Sequence, residues 1–180
     1  MNPEKLLDFL IRKGLAWILE QRELYRPGAD RLDQATQFSL EPFFGSEILD
    51  SARFQVVPLI ENPGFYSELE AMGQSVPLDF TAVHGITFQD TVLLSKQYMQ
   101  SGGFRRRLIF HELVHVVQYR HLGVADFVRR YVSGWAANRY EYLAIPLERD
   151  AYQLDERFDM NPTQPFSVEE EIIRRLGIRA

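Results

Sequence analysis

Cysteine is absent from this chain, which excludes disulfides, iron–sulfur clusters and thiolate chemistry and leaves any metal to histidine, carboxylate and water. Also missing is any apolar run approaching the ~20 residues that span a bilayer. The N-terminal apolar stretch is broken by Asp8, Arg12 and Lys13, unlike a signal peptide. Together these absences predict no membrane span and, by default, a cytoplasmic location. A basic surplus is lacking as well: the net charge is -5, which offers no electrostatic footprint for nucleic acid. The run Arg105 to Arg107 reads as a solvated helix start rather than a phosphate site. No internal repeat is visible. What the 180 residues do contain is 46 % hydrophobic side chains, enough for one sizeable core and a single domain, with residues 1–80 as a mixed extension packed on the body.

The stretch His111-Glu112-Leu113-Val114-His115 matches H-E-x-x-H within a segment, Arg107 to His121, that reads as one helix. At about 100° per residue, positions four apart project from the same face ~6 Å apart along the axis, so two imidazoles can grip one metal. Glu112 is displaced around the helix, which suits a carboxylate that takes a proton from activated water and does not itself bind the ion. Phe110, Leu113, Val114 and Val117 follow the i, i+3, i+4, i+7 pattern and form an apolar stripe beside the histidine face.

Ahead of this helix, Asn2 and Pro3 open a long helix running to about Tyr25 and stopped by Pro27-Gly28. A polar loop follows, then a short helix around Pro42 to Leu49 and a strand over Arg53 to Leu59. Phe43, Phe44, Phe65 and Tyr66 read as packing residues. Thr81 to Phe88, with His84 inside it, and Thr91 to Ser95 read as a hairpin turning at Gln89-Asp90. Its exposed edge could hold an extended peptide by main-chain hydrogen bonds. Ser101-Gly102-Gly103 reads as the turn into the histidine helix. Gly123 ends that helix, a backing helix from Val124 is interrupted by Gly134, and Pro146 opens another helix reaching about Phe158. A Pro-bracketed linker, Asn161 to Phe166, leads to a capping-box start at Ser167 and a short helix ending at Gly177.

Catalytic zinc sites usually have three protein ligands and one open position. His121 stands ten residues after His111, as in the longer H-E-x-x-H-x-x-G-x-x-H pattern, but that pattern needs glycine where this chain has Gln118. In a continuous helix His121 would point roughly 120° away from His115 and lie ~9 Å further on. Glu148, near the start of the following helix, is the better third ligand.

The order of hairpin, H-E-x-x-H helix, backing helix and Pro-x-Glu-x-x-Ala-Tyr helix resembles the gluzincin branch of zincin metallopeptidases over about residues 81–158. The resemblance implies an α+β zincin-like fold, with a small, mostly antiparallel sheet packed on an active-site helix and backing helices. It implies one zinc on His111, His115 and Glu148, Glu112 as general base and proton donor, and a peptide or protein substrate. One departure stands out: where better-known gluzincins carry an aspartate that orients a ligating histidine, this chain has Tyr152, and Asp155, one turn further on, substitutes only if the helix is tilted suitably. A phenol, Tyr152 in preference to Tyr142, would supply the oxyanion donor. The rival readings are a zincin-like binding or accessory module without turnover, and a peptidase held latent beneath its N-terminal segment.

Overall fold

The computed structural model describes residues 2–75, 78–98 and 102–178. Helix α1 (Pro3–Tyr25) begins where the sequence predicts: the Asn2 side chain accepts from the Glu4 amide and Pro3 occupies the first turn. There follow α2 (Gln34–Leu40), α3 (Ser46–Ser51), β1 (Arg53–Val57), α4 (Tyr66–Ala71), β2 (Gly85–Phe88) and β3 (Thr91–Ser95). The second half comprises α5 (Gly102–Ala137), α6 (Pro146–Met160) and α7 (Val168–Leu176). Seven helices and one three-stranded sheet among the described residues make the chain α+β.

The sheet order is β1-β3-β2 and the sheet is mixed rather than mostly antiparallel. β2 and β3 form the expected antiparallel hairpin, with Phe88 opposite Thr91 and Gln89 at φ 61° in the turn. β1 pairs with β3 in parallel, Arg53 opposite Thr91. Parallel pairing requires the chain to cross back to the same end of the sheet, and the 58–90 connection is long enough to do so.

Several boundaries differ from the sequence reading. The helix expected over 42–49 is displaced to α3, and α2 and α4 arise where only loop signals were read; α2 starts because the Asp33 carboxylate accepts from the Thr36 amide. Thr81 lies in a 3-10 turn capped by Asp79, so β2 starts only at Gly85 and His84 precedes it. The turn expected at residues 101–103 falls partly on Ser101, outside the described residues, while Gly103 is already helical. Helix α7 matches its prediction, with the Ser167 hydroxyl accepting from the Glu170 amide and Gly177 in the left-handed region at φ 67°.

Two glycines shape α5. Gly123, at φ 70° and ψ 165°, sits in a region essentially reserved for glycine, and the chain turns back there. Tyr119 and Phe127 would lie ~12 Å apart along a straight helix, yet their rings stack with centroids 3.6 Å apart. Gly134, expected to interrupt the backing segment, is instead passed through. A Cβ at this position would lie 2.6 Å from Pro146 Cδ, so glycine is what lets the start of α6 approach.

The predicted stripe of Phe110, Leu113, Val114 and Val117 is buried. Phe110 stacks on Phe158 of α6 at 4.3 Å, and Phe43 meets both rings edge-on. These contacts clamp α5 to α6. On the far side of the sheet Trp17 of α1 packs on Phe88. No helix among the described residues is long and apolar enough to cross a membrane.

Candidate metal centre

Helix α6 buries Leu147, Ala151, Leu154 and Phe158, and on the same face Glu148 and Asp155. Two carboxylates seven residues apart on an apolar stripe are costly unless something compensates them. The compensating groups stand opposite on α5, in the histidine face.

The His111 and His115 Nε2 atoms are 3.2 Å apart, and Glu148 Oε2 lies 3.3 Å from the first and 3.4 Å from the second. All three side chains are buried, and together they form a group able to hold a metal ion. Their triangle has the right size: tetrahedral bonds of ~2.0–2.1 Å put ligand atoms ~3.3–3.4 Å apart.

The groups behind these three side chains set which atoms face inward. His111 Nδ1 lies 2.8 Å from Asp155 Oδ2, so it donates there and leaves Nε2 with its lone pair. The other Asp155 oxygen is held by Arg107, at 2.9 Å from Nε and 2.7 Å from Nη2. His115 Nδ1 lies 2.8 Å from Gln118 Oε1, and the Gln118 amide is itself oriented by donating 3.0 Å to the Leu147 carbonyl. Both Nε2 atoms are thereby made acceptors. Two lone pairs and a carboxylate oxygen converge on one point, an arrangement that only a cation or a proton satisfies.

The electrostatics agree. Burial disfavours the charged form of His111, but the hydrogen bonds to Asp155 and Glu148 and the Glu148 and Glu112 charges outweigh it and push the imidazole up to about 10. For His115 burial is likewise outweighed by Glu148, and its pKa is raised. Burial also opposes ionisation of Glu148, yet the two histidines hold its pKa below the usual carboxylate range. The remaining oxygen of Glu148 accepts from the Tyr131 hydroxyl at 2.7 Å.

Glu112 points past this triangle towards β2. Its Oε2 accepts from Thr87 Oγ1 at 2.7 Å, and its Oε1 occupies the space that a Cβ on Gly85 would fill, 2.5 Å away. Burial raises the pKa of Glu112 more than the nearby histidines lower it. A carboxylate whose pKa is displaced upward is a better proton acceptor than an ordinary one.

Two cavities meet at Glu112. One lies on the His111 side and is lined by His84, Phe104, Arg107, Tyr142, Tyr152 and Asp155 among others. The second, of about 130 Å³, lies on the His115 side and is largely apolar. Tyr152 packs on the His111 ring at 4.6 Å and is about one-third exposed, at 37 %. Burial, reinforced by Glu148, pushes the Tyr152 phenol up to about 12 and that of Tyr142 well above 10. Both phenols are therefore donors at neutral pH.

The structure thus brings His111, Glu112, His115, Glu148 and Tyr152 together, while His121 lies apart, 3.3 Å from Glu169 Oε1. Gln118, read in the sequence only as a missing glycine, orients His115. Tyr131, Thr87 and Gly85 carried no sequence signal of their own. Asp155 did: it shares the apolar stripe of α6 with Glu148. Comparisons of the chain with protein families, with curated proteins and with solved structures give no match, so the chemistry of the site rests on its own geometry.

Proposed function

We propose that the chain is a zinc-dependent metallopeptidase of the zincin-like, gluzincin type. The observation that carries this reading is the triangle of His111 Nε2, His115 Nε2 and Glu148 Oε2, with edges of 3.2–3.4 Å and Glu112 beside it. The donor set favours zinc, since two imidazoles and one carboxylate without thiolate form a common catalytic zinc ligand set. Bound there, zinc supplies a Lewis acid that lowers the pKa of water and polarises a carbonyl.

The chain's own residues do the rest. Asp155 and Gln118 hold both histidines in the metal-binding tautomer, and Tyr131 occupies one Glu148 oxygen so that the other faces inward. Glu112, steadied by Thr87, accepts the proton of the attacking water and delivers it to the leaving amine nitrogen. Tyr152 donates to the oxygen on which charge develops. Among the described residues β2 is an edge strand, and its outer main-chain groups are offered to an extended substrate. Its pairing with β3 alternates, and Phe88, flanking the two-residue turn, bonds to Thr91, so the Gly85 and Thr87 amides and carbonyls point away from β3.

The test is metal analysis of wild type, Glu148→Ala and His121→Ala, followed by a peptide-hydrolysis screen with Glu112→Gln as control. About one zinc per chain is expected in wild type and in His121→Ala, and loss in Glu148→Ala. Metal binding with no hydrolysis of any peptide, and no difference between wild type and Glu112→Gln, would replace the peptidase by a binding module.

A further inference from the structure

We infer that Asp79, in the wall of the His111-side cleft, is a specificity residue that binds the cationic head of a lysine or arginine side chain of the substrate. This deepens the peptidase reading and rests on it.

The charges lining this cleft are compensated, with one exception. Arg107, the only lysine or arginine among the described lining residues, is bound by Asp155 and Asp159. Burial lowers the pKa of His84, which therefore carries little charge at neutral pH. His111 and Glu112 belong to the reacting centre. Asp79 lines the same cleft, is exposed, and has no cation beside it among the described residues. A carboxylate left alone in a cleft attracts positive charge to it.

The Asp79 side chain is held so as to present one oxygen. Three donors converge on Oδ1: Asn62 Nδ2 at 3.0 Å, the Thr81 amide at 3.0 Å and the Thr81 hydroxyl at 2.6 Å. Asn62 is itself oriented, because its Oδ1 accepts from the Phe80 amide at 2.7 Å. These bonds hold the carboxyl below its ordinary range, so it is charged at neutral pH. Oδ2 accepts from none of the described residues. Capping the turn at 80–82 uses Oδ1 alone, a task that asparagine performs equally well. The charge and the second oxygen are surplus to the cap.

The surroundings select the kind of cation. Leu78, Ala82 and Val83, from the same turn, line the cleft together with Asp79. An apolar wall with a fixed carboxylate suits the aliphatic stem and charged head of lysine or arginine. A substrate amino terminus has no such stem. Residues 79–84 lead directly into β2, so a substrate extended along that strand continues past its start towards this turn.

The test uses the full, zinc-loaded chain as wild type and Asp79→Asn. Asparagine keeps an acceptor for all three donors and removes the charge, so a purely structural Asp79 would give no change. Cleavage sites in N-acetylated and unacetylated peptide libraries are read by mass spectrometry. Rates are then measured for acetylated peptides that differ only as lysine or norleucine at the enriched position. Lysine and arginine should dominate one position near the scissile bond in both libraries. The lysine-over-norleucine ratio of kcat/KM should fall roughly fivefold in Asp79→Asn, the size of an exposed ion pair, with the loss in KM. In wild type the same ratio should shrink as salt is raised, and this series decides should the variant not fold. A profile without basic preference, a preference confined to the unacetylated library, or a folded Asp79→Asn with an unchanged ratio would overturn the site. If neither library is cleaved, the peptidase reading falls. Calorimetric binding of acetylated alanine-based peptides carrying lysine or norleucine, to wild type and Asp79→Asn, then decides the site alone: tighter binding of the lysine peptide only in wild type supports it, and equal binding overturns it.

Discussion

Asp155 Oδ2 sits 2.8 Å from His111 Nδ1, across the interface between α6 and α5. That bond determines which nitrogen of His111 can bind a metal, and Arg107 holds the same carboxylate from its other side. Replacing Asp155 by Asn keeps the shape and removes the charge. Zinc affinity, measured by chelator competition, should fall about 10–100-fold. Unchanged affinity would mean that His111 is oriented by packing alone.

Gly85 is expected to be as necessary to turnover as Glu112 itself. In Gly85→Ala the new Cβ would lie 2.5 Å from Glu112 Oε1, so the carboxylate must move. Zinc content should stay near wild type while kcat falls by about 10²–10⁴, the usual contribution of a general base. A Gly85→Ala protein with full activity would show that Glu112 works from another rotamer.

The raised pKa of His111 makes a prediction about pH. The folded value is about 10 against an ordinary 6.5, so without metal the protonated imidazole stabilises the fold fully below about 6.5. That contribution is lost as pH rises through 10. Zinc must displace this proton, so apparent zinc affinity should climb about tenfold per pH unit up to that range, more steeply if His115 also releases one. Thermal melts of metal-free protein and chelator competition across pH 6.5 to 10 check both trends. Affinity independent of pH would mean that His111 is already neutral.

Gly134→Ala should destabilise the protein by about 1–3 kcal/mol through overpacking, since its Cβ would lie 2.6 Å from Pro146 Cδ. Because Pro146 begins the helix that carries Glu148, zinc affinity should fall along with stability. Urea unfolding and metal titration on the same sample test whether the two losses occur together.

Half of the site was legible in the residues themselves. H-E-x-x-H on an apolar-striped helix places His111, Glu112 and His115 by local geometry alone, and Pro146 marks the start of the helix that carries Glu148. Caps at Asn2 and Ser167 and the Gln89-Asp90 turn were equally local. Even the partnership of Glu148 with Asp155 leaves a trace, as two acids on one apolar stripe seven residues apart.

What the tertiary structure alone decided is which of these local pieces meet. The parallel pairing of β1 with β3, the reach of Tyr131 to Glu148 after the turn at Gly123, and the selection of Gln118 to orient His115 all join residues from different elements. Gln118 is the clearest case. In the sequence it reads as a glycine that is not there; in the fold its amide spans from His115 to the Leu147 carbonyl. Periodicity specifies the face on which a side chain lies within its own helix. Which partner that face finds depends on how helices pack across the core, where close approaches such as Gly134 against Pro146 set distances that no single element encodes.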